Sequence, residues 1–221
     1  MIDINKLKSA KLFRWTRDYL FEVVAKIVLD DPILLSGFKE IDRADFVPEK
    51  LRDSAYSDTE IEVAYGEKLT SPVILADMLA QLKPVPGGVY LDIGTGTGYA
   101  AALLAYCATD SGKVYSMERV QWLWEAARAS IKKYKFNNIE VVYRDGLEGL
   151  PLKAPFDGIH VSFIIEPSTV DKLKTQLKQA NGRMVFPDTN NNIVVLERNG
   201  DNYTQEIVRG HVFQSGKIGL A

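Results

Sequence analysis

The sequence predicts a doubly wound α/β fold: a mostly parallel, seven-stranded sheet behind a helical N-terminal section. Three observations carry this expectation. After Pro86, short β-branched runs alternate with helix-length segments, which calls for crossover connections and a parallel sheet covered on both faces. The first of those runs, VYLDIG, passes straight into glycines at 94, 96 and 98. With 46% apolar and 25% charged residues over 221 positions, the composition is that of an ordinary folded chain. We read 1–221 as one domain, with 1–85 the helical section and 86–221 the core.

The elements follow in order. From Thr16 to Leu29 the apolar residues Leu20, Val23, Val24, Ile27 and Val28 recur at three- and four-residue steps, one face of a helix stopped by Asp31 and Pro32. A second helix is expected over Ile33 to Ile41, then irregular polar chain to about Leu69, then a helix over Pro72 to Leu82 with proline suited to its first turn. Beyond VYLDIG come an alanine-rich helix, the strand KVYSME, a helix over Val120 to Tyr134 and the strand IEVVYRD. FDGIHVS, a helix over Thr169 to Gln179 and RMVFP continue the alternation. IVVLER and YTQEIV flank Asn199 to Asn202 and read as an antiparallel hairpin closing one edge.

Charge and cysteine usage narrow the function. A net charge of −2, from 27 basic and 29 acidic residues, gives no broad footprint for a phosphate backbone, so nucleic acid is not expected as a partner. The single cysteine, Cys107, excludes an intrachain disulfide and points to a reducing, cytoplasmic setting. Lys6, Lys8 and Lys11 interrupt the first apolar residues, unlike a secretory signal. The apolar run from Tyr99 to Ala108 is too short to cross a bilayer, so no membrane association is expected. No metal-ligand spacing appears. His160 lies inside a strand and reads as a core residue, and His211 is not assignable.

The glycine turn carries the chemistry. A dinucleotide fingerprint GxGxxG would need glycine at 99, and that position is Tyr99. What stands here is D-x-G-x-G-x-G, with Asp92 ahead of Gly94, Gly96 and Gly98. A carboxylate there suits an ammonium group and repels a pyrophosphate, which favours S-adenosylmethionine. The absence of Cβ atoms allows close approach, and the helix N-terminus beyond offers free amides. Glu118, at the end of KVYSME, is placed for ribose hydroxyls, and Asp145 with Gly146 for the adenine amino group. Each acid alone would more often be a cap or a solvated loop residue; the joint order is the evidence. Trp122 and Trp124 read as helix packing, and Cys107 as a small core residue.

These residues and their surroundings resemble the protein-L-isoaspartate O-methyltransferases. That family has an arginine before FVP, as Arg43 precedes Phe46, Val47 and Pro48. Its segment AYxDxPLPIGxGQTISxP is matched without insertion by AYSDTEIEVAYGEKLTSP, Ala55 to Pro72. LDIGTGTGY, VYSMER, a DG pair and LPLKAPFDGIHVSFII continue the likeness, from about Ile33 to Phe213.

The resemblance implies a fold of the S-adenosylmethionine-dependent methyltransferase kind and carboxyl methylation of L-isoaspartyl residues in damaged proteins or peptides; a monomer is expected, although the residues do not disclose the oligomeric state. It implies that Asp92, Gly94, Thr95, Gly96, Thr97 and Gly98 hold the methionyl end, with Glu118, Arg119, Asp145 and Gly146 on the adenosine. It places Thr70 against the acceptor carboxylate, with Ser71 and Ser162 beside the substrate. The departures all fall on the acceptor side. Lys68 stands for a threonine and is expected to point outward, Thr70 stands for a serine, and Phe163 to Glu166 replace a small-residue run. Pro187 to Thr189 replace PVG, and His211 to Ile218 replace a segment like FVFVPL. A same-fold methyltransferase with another acceptor, or a cofactor-binding module without turnover, therefore stays open on the residues alone. The nucleobase version lacks the Asn/Asp-Pro-Pro-aromatic sequence it would need after the fourth core strand.

Overall fold

A computed structural model describes residues 15–64 and 66–210; the N-terminal lysines and the departure from His211 to Ile218 lie outside the described residues. Ahead of the core come α1 (Arg17–Ala25), α2 (Pro32–Glu40), two 3-10 turns (Arg43–Phe46, Glu49–Ser54), β1 (Ile61–Ala64), β2 (Glu67–Leu69) and α3 (Pro72–Leu82). The core comprises β3 (Val89–Ile93), α4 (Tyr99–Ala108), β4 (Lys113–Glu118), α5 (Gln121–Lys132), β5 (Ile139–Tyr143), β6 (Gly158–Val161), α6 (Pro167–Lys174), β7 (Ala180–Pro187), β8 (Asn192–Asn199) and β9 (Asn202–Gly210).

Local chemistry sets the helix starts. The side chains of Thr16, Asp31 and Ser71 each accept a backbone N–H two or three residues into α1, α2 and α3, and prolines open α2 and α3, where the missing N–H costs nothing. Two expected helices differ. α1 stops at Ala25 and the chain continues as turns to Asp31, leaving Leu29 exposed. α6 begins at Pro167 and ends at Lys174, because the Gln176 carbonyl accepts from Phe156 N–H and its side chain serves the loop, accepting from Leu150 N–H and donating to the Glu148 carbonyl.

The seven strands lie in the order β5-β4-β3-β6-β7-β8-β9. The β5-β4, β4-β3, β3-β6 and β6-β7 pairs are parallel, while β7-β8 and β8-β9 are antiparallel, the last being the hairpin over Asn199 to Asn202. Strand order reverses at β3, so a crevice opens at the carboxyl ends of β3 and β6. The expected irregular segment holds a second sheet instead: β1 and β2 pair antiparallel through a turn at Gly66, apart from the main sheet. Ile61, Val63 and Leu69 are buried while Glu62 is exposed, the alternation of a half-covered strand.

Two apolar cores flank the main sheet. One joins Leu20 and Val24 of α1 to Leu103 of α4, Val114 of β4 and Val185 of β7; the other packs Leu91, Ile93, Val161 and Leu196 with Leu173 of α6. Among the described residues, no helix is long and apolar enough to cross a membrane.

Candidate functional site

The cleft lies between the β1-β2 hairpin and the carboxyl ends of β3, β4 and β6. Val63, Glu67, Lys68 and Leu69 line it from the hairpin, and Gly94, Gly96 and Thr97 from the glycine turn. Glu118 and Arg119 close the β4 side, Asp145 and Gly146 stand after β5, and Ser162 and Phe163 after β6.

Backbone contacts hold the turn in place. The amides of Gly94 and Thr95 donate to the Met117 carbonyl at 3.0 and 3.1 Å. Gly94 has φ +92°, and a Cβ there would overlap the Ser162 hydroxyl and approach the Phe163 ring to 2.9 Å. Gly96, at φ +56°, would meet nothing within 4 Å, so its bare face opens on free space. The Glu118 carboxylate ties the turn to β4, accepting from the amides of Gly96 (2.8 Å), Arg119 (2.9 Å) and Val120 (2.8 Å). Burial holds its carboxyl above the ordinary value against those three donors. A carboxylate has about four acceptor sites, so these three amides leave one on Oε2 unfilled.

Asp92 departs from its expected role. It is fully buried beneath the turn, where Oδ2 accepts from the Ser116 hydroxyl at 2.6 Å and Oδ1 lies 2.7 Å from His160 Nδ1. Ile93, the next residue, lines the cleft; because neighbours on a strand face opposite ways, Asp92 points into the core. It braces the turn through Ser116, whose hydroxyl also pairs with Thr95 Oγ1 at 2.6 Å, so Thr95 too is an internal brace. His160 is accordingly a hydrogen-bonded core histidine.

The remaining expected residues divide. Gly94, Gly96, Thr97, Glu118, Arg119, Asp145, Gly146 and Ser162 share the cleft, whereas Gly98 packs against α5 at Ile131 and Ala127. Asp145 Oδ1 caps its own turn by accepting from Leu147 N–H at 3.0 Å. Ser71 does not reach the cleft: it is 4% exposed, its hydroxyl donates to Asp58 and its oxygen accepts from Ile74 N–H. Thr70 directly follows the lining residues, and buried Arg43 fixes its carbonyl at 2.8 Å. Ser162 lines the cleft while donating to the Gly94 carbonyl at 3.0 Å. Lys68 reaches both ways, facing the cleft and pairing with Glu60 at 3.0 Å.

Of the bulky run after β6, Phe163 alone lines the cleft, while Ile165 is buried in the core that holds Leu173 and Ile164 packs against the other core, that of the N-terminal helices. Pro187 ends β7, and Asp188 caps the turn to β8 by accepting from the amides of Asn190 and Asn192. Neither tryptophan lines the cleft: Trp124 Nε1 donates to the Val141 carbonyl, and Trp122 packs on the core. Sequence reasoning missed Glu67 and Val63 as lining groups; the Ile61-Glu62-Val63 alternation before Gly66 was the available signal.

The residues fit an adenosyl cofactor. Thr97 Oγ1 is buried in the cleft wall without a hydrogen-bond partner among the described residues, Gly96 leaves room for a ligand, and Glu118 and Asp145 present carboxylates that suit hydroxyl and amino donors.

Comparison with known proteins agrees. Residues 17–213 match the family described as protein-L-isoaspartate(D-aspartate) O-methyltransferase. The chain is 38% identical over 157 residues to the protein-L-isoaspartate O-methyltransferase of Methanococcoides burtonii, covering 71% of this chain and 76% of that one. It is 37% identical over 183 residues to that of Methanoregula boonei, covering 81% and 82%. A solved protein-L-isoaspartate O-methyltransferase superposes with a TM-score of 0.79 at 23% identity, over 93% of this chain and 67% of that one. A Plasmodium falciparum chain assigned to the same activity, in complex with S-adenosyl-L-homocysteine, gives 0.75 at 21%, over 93% and 99%. The family match across most of the sequence, with relatives this similar, makes the chain a member of the protein-L-isoaspartate(D-aspartate) O-methyltransferase family.

Proposed function

We propose that the chain transfers a methyl group from S-adenosylmethionine to the free carboxylate of L-isoaspartyl residues in damaged proteins and peptides, in the cleft between the β1-β2 hairpin and the glycine turn. Family membership over residues 17–213 carries the reaction. The unpartnered Thr97 hydroxyl beside the open face of Gly96 supports the place.

When bound, the cofactor supplies a methyl group on a positively charged sulfur. The acceptor carboxylate is ionised at neutral pH, so attack needs no general base. The protein aligns the two groups and keeps water away. In this reading the glycine turn and Thr97 receive the methionyl end, Glu118 and Arg119 the ribose, and Asp145 and Gly146 the adenine. Thr70 holds the acceptor carboxylate from its position after β2, where Arg43 pins its backbone. Ser162 and Phe163 bound the acceptor side.

The same reading makes the enzyme a cytoplasmic monomer working as one domain. The single domain is supported by a core shared between the N-terminal helices and the sheet, and the reducing setting by a sole cysteine that is free and buried, its thiol pushed up to about 12 by burial. Phe163 favours one second reading, a related carboxylate acceptor smaller than an isoaspartyl peptide, because its ring occupies acceptor-side space.

Incubation with methyl-labelled cofactor and paired peptides separates these. Base-labile label in an isoaspartyl peptide and none in its aspartyl twin is expected. Label in neither peptide, with the cofactor still bound, overturns the isoaspartyl acceptor. Thr70→Val should cut kcat about tenfold or more at unchanged cofactor affinity, as loss of a hydrogen bond to a charged group does. Full activity in that variant removes Thr70 from the site.

A further inference from the structure

The reaction changes the charge in the cleft. Transfer forms an O–CH3 bond and breaks an S–CH3 bond, the electron pair staying on sulfur. A cationic sulfonium and an anionic carboxylate thus become a neutral thioether and a neutral ester. Any fixed charge near the sulfur therefore distinguishes the donor from its product.

Glu67 brings such a charge to the cleft. It opens β2 and lines the cleft from the hairpin, facing the wall built by Glu118 and Asp145. Glu118 has three backbone amides on its carboxylate, Asp145 accepts from Leu147 N–H, and Asp92 is turned into the core. On the hairpin side, the neighbouring cation Lys68 is paired with Glu60. Glu67 acts across the cleft: after burial and against the three amides, its charge helps to raise the Glu118 carboxyl. Loss of the sulfonium charge then removes one cation from a cleft in which Lys68 and Arg119 remain, so the carboxylates on its two sides are less fully balanced.

Resting on the placement of the cofactor in this cleft, we propose that Glu67 is a selectivity residue that favours the sulfonium donor over its neutral thioether product, and so promotes product exchange. It supplies part of the counter-charge that the sequence assigns to Asp92.

Calorimetric titration of the full chain tests this with three ligands: S-adenosylmethionine, S-adenosylhomocysteine, and sinefungin, which carries an ammonium group near the sulfonium position. Glu67→Gln keeps the shape and removes the charge. It should weaken the two cationic ligands relative to S-adenosylhomocysteine by about fivefold, the effect of one partly screened charge. Glu62→Gln, on the exposed side of β1, should leave the ratio unchanged. An unchanged ratio in Glu67→Gln, or equal narrowing in Glu62→Gln, overturns the proposal. Gly96→Val separates this from the site itself, because a side chain there fills the cleft and should remove binding of all three ligands. Wild-type binding by Gly96→Val overturns the placement of the cofactor, whereas lost binding there with an unchanged Glu67→Gln ratio overturns only the role of Glu67.

Discussion

The guanidinium of Arg43 is 2% exposed and donates at 2.8 Å to the carbonyls of both Ala55 and Thr70, with the Tyr99 ring 5.4 Å from its carbon. Burial lowers its pKa to about 10, so it remains charged at neutral pH. One side chain thereby joins the first 3-10 turn to the chain on both sides of the β1-β2 hairpin. Arg43→Met would retain much of the volume and leave two carbonyls unpaired, so a loss of about 2–4 kcal/mol in denaturant unfolding is expected. A loss below about 1 kcal/mol would show that the bonds are replaced by water. The D-x-G-x-G-x-G spacing located the turn, Glu118 and Asp145, since each follows from where a strand ends. It could not give the direction of Asp92, which depends on the strand's alternation and on two partners, Ser116 and His160, supplied by neighbouring strands. Ser71 was misread for a similar reason: beside Pro72 it is a helix cap, a local use that competes with a ligand.

The first 3-10 turn is fastened to the end of α5 by Asp45, which accepts from Lys133 Nζ at 2.9 Å and from Tyr134 Oη at 2.8 Å. Partial burial pushes its carboxyl up, but the bonds from Lys133 and Tyr134 outweigh this and hold it below the ordinary carboxylate value. A depressed carboxyl stabilises the fold above its unfolded-state pKa, and that contribution disappears as the pH falls through the ordinary value towards the depressed one. Asp45→Asn should therefore flatten the acid limb of the stability profile, measured by chemical denaturation at stepped pH, while an unchanged limb would deny Asp45 this role. The periodic elements were readable because each has one apolar face and a clear stop: Asp31-Pro32 before α2, Pro72 at α3, glycines after β3. β1 and β2 were not, since their apolar residues are few and glutamates and Lys68 dominate the segment. The hairpin exists because Ile61, Val63 and Leu69 find a core to cover, a tertiary reason that local composition does not display.

The doubly wound sheet itself followed from the alternation of strands and helices, and the reversal of strand order at β3 explains why the glycine turn faces a crevice. The helices ahead of the sheet share one apolar core with it, Leu20 and Val24 packing in the same cluster as Leu103 and Val185. Unfolding should accordingly be a single transition, with tryptophan fluorescence and far-ultraviolet circular dichroism giving coincident midpoints. Separate midpoints would mean that residues 1–85 unfold on their own. The β1-β2 ladder exchanges no strand pairing with the seven-stranded sheet, although its residues form one wall of the cleft. That wall can thus be re-sequenced, by evolution or by grafting, without breaking a rung of the seven-stranded platform, so the groove can change its lining while its floor stays as it is.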